Sequence, residues 1–248
     1  MLATLNAERI KLQSTRAPVW TTLSVAVLSL GFAAIQAGGL PYSYLSPERA
    51  ALGVSIFGVP VLMILSALSV TSEFRTGMIR ATFLATPRRG VVLTAKAAVA
   101  AAFSGVVTAI MMIGAIGLAR SLLSSERAGE LDLSGSEVWR AVGATSLYAA
   151  LGAVLAVALG ALMRHTAGVV AVLVLMPFVV EPLLGTIPQI GGRVGPLLPF
   201  SNAYTFTETP WFQTFTMWWG PVGAALYFAA VVATVFVAAL VTLVRRDP

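Results

Sequence analysis

Six long apolar stretches without a single charged residue recur along the chain, at 17–37, 50–72, 97–119, 141–163, 166–180 and 209–244. A helix needs about 20 mostly apolar residues to cross a hydrocarbon core of about 30 Å. Backbone polar groups left unpaired in lipid are costly, so runs of this length are expected to be helices. The pattern predicts an all-α polytopic membrane protein with six transmembrane helices, at about 17–37, 50–72, 91–119, 139–163, 166–187 and 217–244. These spans consume nearly the whole chain and leave a single transmembrane domain over 1–248.

The segments between the spans have their own patterns. In residues 2–13, Leu2, Leu5, Ile10 and Leu12 alternate with Asn6, Glu8, Arg9 and Lys11 at roughly helical spacing, which predicts an amphipathic N-terminal helix on the membrane surface. The alternative is a plain polar flank that orients the first span. Tyr42 and Tyr44 fall where interfacial aromatics are expected, and Pro60 predicts a kink inside the second span. The connection 71–96 is the longest on its side, with five basic residues against the one acid, Glu73. Within it, Phe74, Met78, Ile79 and Phe83 could form the apolar side of a short helix. Thr86 followed by Pro87 reads as a hydroxyl cap with proline in the first turn, so the third span is expected to start there, with Arg88, Arg89 and Lys96 near the headgroups.

Small residues recur at four-residue spacing in two spans: Ala97, Ala101, Gly105 and Ala109 in the third, Gly152, Ala156 and Gly160 in the fourth. Such stripes let helix backbones approach closely; a pore lining is the alternative. After the fifth span, 188–215 is broken by Pro188, Pro196 and Pro199 yet is too apolar for a simple aqueous loop. It is expected to form short re-entrant helices in the outer leaflet, with Trp211, Trp218 and Trp219 anchoring the start of the sixth span.

Composition and charge sharpen this outline. The chain is 58% hydrophobic and 10% charged, with a net charge of +6 and no cysteine. Placing the N-terminus in the cytoplasm puts Arg9, Lys11, Arg16, Arg75, Arg80, Arg88, Arg89, Lys96, Arg164, Arg245 and Arg246 inside. Only Arg49, Arg120, Arg127, Arg140 and Arg193 then lie outside. Eleven against five predicts both termini in the cytoplasm. The charge is scattered over short loops, which argues against nucleic acid as a partner. Without cysteine there is no disulfide, thiol or iron–sulfur chemistry.

Little in the chain suggests catalysis. The one histidine, His165, sits in a short turn, and no GxxxxGK[ST] phosphate loop is present, so ATP is not expected to be bound by this chain by that route. Glu126, Glu130, Asp132 and Glu137 are interrupted by arginine and lack the spacing of a calcium loop. Glu181 is the sole acid embedded in an apolar run. An intramembrane carboxylate is a functional candidate, here for translocation or an outer gate, set against the alternative of a satisfied interfacial group.

The opening AERIKLQSTRAPVW, the stretch SEFRTGMIRATFLATPRR with Lys96 beyond it, and MPFVVEPLL in the fifth span resemble the small ABC-2-type ABC transporter permeases of high-GC bacteria. The broken aromatic segment before the sixth span resembles their outer re-entrant helices. The resemblance implies an exporter permease in the bacterial cytoplasmic membrane, a second permease copy or paralogue, and two separate ATPase subunits that bind ATP and Mg. It further implies a coupling element at 72–80, carried by Ser72, Glu73, Phe74, Arg75, Thr76, Gly77 and Arg80, with Phe74 seated in a groove of the ATPase. The cargo expected from such a family is a drug, antibiotic, peptide or lipid. Two other readings stand beside it. One is a non-transporting membrane scaffold or immunity protein. The other is an independent secondary transporter, which would need intramembrane carboxylates or broken helices at mid-membrane.

Overall fold

The computed structural model describes residues 1–39, 44–211 and 214–245. Tyr42, proposed above as an interfacial aromatic, and Arg246, counted among the inner charges, lie outside the described residues. The protein is an all-α polytopic membrane protein, with six helices among the described residues long and apolar enough to span a bilayer. The chain opens with α1 (Leu2–Ser14) and the first span, α2 (Ala17–Gly39); a one-turn α3 (Pro47–Ala50) follows. The second span is a π-helical turn at Val54–Gly58 running into α4 (Val59–Thr76), and a short α5 (Met78–Ala85) leads to the third span, α6 (Arg89–Leu122). The fourth span is α7 (Ser136–Met163). The fifth joins α8 (Thr166–Leu175), a π turn at Met176–Val180 and α9 (Glu181–Thr186). After α10 (Gly191–Val194) and α11 (Pro199–Phe206), α12 (Pro221–Arg245) makes the sixth span.

Local chemistry explains most of the boundaries. Each π turn contains the residue four before a proline: Ile56 before Pro60, and Phe178 before Pro182. Proline lacks an N–H and crowds that carbonyl, so the helical ladder widens there instead of breaking. Gly77, at φ +73°, ends α4 in the left-handed region that a side chain disfavours. His165 caps α8, its Nδ1 accepting the Gly168 N–H at 3.2 Å. Thr86 behaves differently from expectation. Its N–H donates to the Thr82 carbonyl and closes α5, while α6 starts three residues later without a side-chain cap.

Packing runs in three layers. At one end Ala37, Leu45, Met112, Ile116, Leu131 and Val142 form a core. At the other, Val70, Ile79, Phe83, Leu93, Val157 and Leu243 form a second. Between them, Val59, Met63 and Tyr148 of the spans share a core with Phe200, Ala203 and Tyr204 of α11, so α11 descends between the spans as a re-entrant element does. The glycine stripe of the fourth span serves packing. A Cβ on Gly152 would lie 3.0 Å from Met63 Sδ, and one on Gly160 would lie 3.2 Å from the Ala67 carbonyl of α4. Trp218 is exposed, whereas Trp211 joins Phe178 and Tyr204 in an aromatic cluster and Trp219 stacks on Tyr227 at 5.3 Å.

Candidate functional site

Two sets of buried charged groups stand out, one at each end of the bundle. The first lies at the end where the start of α6 meets the end of α12, tied by Arg89 Nη1 donating to the Leu243 carbonyl at 3.3 Å. This end also carries α1, and it is called the terminal face below.

On the terminal face, α1 supplies Glu8 and Lys11, the last turn of α4 supplies Glu73, and α6 supplies Lys96. Lys96 Nζ stands 2.7 Å from Glu8 Oε2, 2.7 Å from Glu73 Oε1 and 3.3 Å from the Ser69 carbonyl, which uses all three of its protons. Lys11 Nζ closes the ring at 3.0 Å from Glu8 Oε1 and 2.9 Å from Glu73 Oε1. Two carboxylates thus meet two ammonium groups, and Glu8, Glu73 and Lys96 are all buried. Glu73 Oε2 has no hydrogen-bond partner among the described residues. Burial works against the charge on Lys11, but hydrogen bonds to Glu73 and Glu8 and their negative charge outweigh it and raise its pKa.

This network accounts for how α1 is held. Glu8 is the one buried residue of α1, and Leu2 and Ile10 face outward. The N-terminal helix is therefore docked through charge, with Leu5 and Leu12 half-buried beside it. Lys96 differs from the expectation of a headgroup residue: it sits two turns inside α6 and faces the protein.

The 72–80 segment divides into inward and outward residues. Ser72 bonds back to the Leu68 carbonyl at 2.6 Å and ends, with Glu73, Phe74 and Arg75, the α4 helix. Glu73 is committed to the ion network. Phe74 packs against the core around Val70, Ile79 and Phe83, and the Arg164 guanidinium covers its ring at 4.9 Å. Phe74, expected to seat in a partner groove, is half-buried and makes these contacts within its own chain. Arg75, Thr76, Gly77 and Arg80 are exposed. Along α5, Ile79 and Phe83 face the core, while Met78, Arg80, Ala81 and Leu84 face out, with Arg80 and Leu84 four residues apart on one side. Leu84 is 84% exposed and Met78 53%.

At the opposite end, Glu181 is buried and bonds the re-entrant helix. Its Oε1 accepts the Phe200 N–H at 2.8 Å, and its Oε2 accepts the Ser201 N–H at 2.6 Å and the Ser201 hydroxyl at 2.8 Å. With Pro199 in the first turn, the carboxylate caps α11 from a different helix, where the dipole favours a negative charge. Near this end, Arg140 bridges Glu48 at 2.5 Å and Glu208 at 2.6 Å, joining the α3, α7 and α11 segments. Of the four loop acids weighed above as metal ligands, Glu130 is held by Arg127 at 2.9 Å and by the Leu45 N–H at 2.8 Å.

Glu181 was visible as a lone acid in an apolar run. The Glu8–Lys11–Glu73–Lys96 network was not, because its members lie far apart in sequence and each reads as an ordinary end-of-span charge. No protein-family model matches this chain, and no curated protein matches it.

Proposed function

We propose that this chain is the membrane-spanning permease subunit of an ATP-driven exporter of the ABC-2 type, working with two separate ATPase subunits and a second permease. The observation that carries the reading is the α4–α5 corner on the terminal face. Exposed Met78 and Leu84 of α5 stand among Arg75, in the last turn of the second span, and Arg80. The base of this corner is fixed to α6 and α1 by the buried ion network. An apolar residue rimmed by charge on a firmly held support is what a protein groove recognises, the apolar group giving affinity and the charges register. A rigid base would also let a push on α5 pass directly into α4 and α6. Relative to the sequence expectation, the contact moves from Phe74 and Glu73 to Arg75, Met78, Arg80 and Leu84. A lipophilic cargo agrees with the apolar spans.

Leu84→Asp is expected to weaken co-purification with a co-expressed phosphate-loop ATPase partner by about tenfold or more, since a buried leucine contributes about 1.5–3 kcal/mol. Thermal unfolding of the isolated permease should be unchanged. Phe74→Ala is expected to do the reverse, lowering thermal stability first. Undiminished ATPase binding by Leu84→Asp would remove the coupling assignment, and a phosphate-loop ATPase that never associates with the chain would remove the exporter reading.

The same proposal places the terminal face in the cytoplasm. The chain has no cysteine, so single cysteines need no background replacement. Gln13→Cys and Arg88→Cys should resist an impermeant thiol reagent in intact cells, while Gly129→Cys should react. The opposite labelling pattern would invert the orientation.

A further inference from the structure

A cavity of about 730 Å³ opens beside α1, between that helix and the first and third spans. Its volume lies in the range of sites that enclose a small molecule. Two zones line it. Pro18, Leu23, Val99, Ala102 and Phe103 form an apolar wall that runs down α2 and α6, and Leu5 and Leu12 of α1 close it on the third side. Asn6, Arg9 and Gln13, all from the surface helix, form a polar rim above it. A wall on two spans beneath a rim on a surface helix places the two zones at the depths of the acyl chains and the headgroups.

The charge at the rim is selective. Glu8 and Lys11 are consumed by the ion network with Glu73 and Lys96. Arg9 makes no ion pair among the described residues, so the rim carries one uncompensated positive charge directly over an apolar groove. Arginine binds phosphate through its planar fork of donors, and Asn6 and Gln13 add hydrogen-bonding groups to either side.

We infer that this groove is a binding site for one anionic phospholipid, its phosphate at Arg9 and an acyl chain along Leu23, Val99 and Phe103. Because the roof of the groove is α1, and α1 is docked through Glu8 and Lys11, an occupied site would brace the same helix that the ion network holds. The inference concerns a resident lipid and stands apart from the exporter reading.

The test uses the full-length protein in detergent and native mass spectrometry, titrating phosphatidylglycerol and, separately, phosphatidylcholine with the same chains. The wild type is expected to retain one phosphatidylglycerol in preference to phosphatidylcholine. Arg9→Gln should weaken phosphatidylglycerol binding by about fivefold, the effect of one basic residue at an anionic surface, and weaken phosphatidylcholine less, because its choline already offsets the phosphate charge, so the preference for phosphatidylglycerol shrinks. Ala102→Trp, at an exposed position that fills the groove without entering the core, should weaken both lipids by about tenfold or more. Equal affinity of the wild type for the two lipids overturns the inference, as does an Arg9→Gln variant that keeps the preference. A wild-type dimer that Ala102→Trp converts to monomer, with lipid binding unaltered, would assign the groove to a second copy of the chain instead.

Discussion

Replacing Lys96 by methionine is expected to cost about 3–5 kcal/mol of stability, the loss that follows when one partner of a buried ion pair is removed and the other charge stays behind. Here two carboxylates would be stranded, because Glu8 and Glu73 both depend on Lys96 at 2.7 Å. Lys11 touches both as well, but it is far more exposed than Lys96. The decisive comparison is a triple variant, Lys96→Met with Glu8→Gln and Glu73→Gln. Neutralising all three groups removes the stranded charge, so most of the lost stability should return, although the geometry that fixes α1 would be weakened. Thermal unfolding in detergent measures both variants, and protease cleavage within 2–14 reports the release of α1. A Lys96→Met variant within about 1 kcal/mol of wild type would mean the network is solvated in practice and does not hold the helix.

The raised pKa of Lys11 adds a pH dependence with a definite sign. Its contribution is complete below the ordinary lysine value, about 10.4, and is lost as the pH rises through the higher folded-state value. Protease sensitivity of α1 should therefore increase only at strongly alkaline pH in the wild type. Lys11→Met should abolish this contribution to the alkaline step.

The spans were legible because membrane insertion depends on a local property, the run length of uncharged apolar residues. Their ends were less so. The third span reaches from Arg89 to Leu122, well beyond its uncharged core, because charged residues at the ends of a span remain helical while reaching water or, for Lys96, an internal partner. The ion network depends on topology: Glu8 and Lys96 are 88 positions apart, and only the docking of α1 beside the second and third spans brings them together. Phe74 shows the same limit. Its place between Glu73 and Arg75 suggested a projecting anchor, but helix periodicity continues through Thr76 and turns the ring onto the core, where Arg164 from a different turn closes over it. The outward residues Arg80 and Leu84 follow the same periodicity, yet choosing the exposed side of α5 required knowing what its other side packs against.

Glu181 joins both ends of this problem, since its isolation was visible and its partners were not. Glu181→Ala is expected to leave the Phe200 and Ser201 N–H groups without their acceptor at a buried helix start, a loss of about 1–3 kcal/mol. Glu181→Gln keeps one acceptor oxygen and should cost less, because a neutral amide is a weaker acceptor than a carboxylate and its NH₂ group faces two donors. The consequence for function comes from where the bonds lie. They connect the start of α9 in the fifth span to α11, whose Phe200 and Tyr204 pack with Tyr148 and Phe228 between the spans. Any opening at this end that separates α11 from the fifth span must break them, so under the exporter reading the carboxylate acts as a latch. Glu181→Gln should then change the rate of transport while the assembled permease and ATPase still co-purify and the helical content is unchanged. If Glu181→Gln lowers thermal stability but leaves transport and substrate-stimulated ATP hydrolysis at wild-type levels, Glu181 serves as the cap of α11 alone and the opening pathway does not pass between α11 and the fifth span.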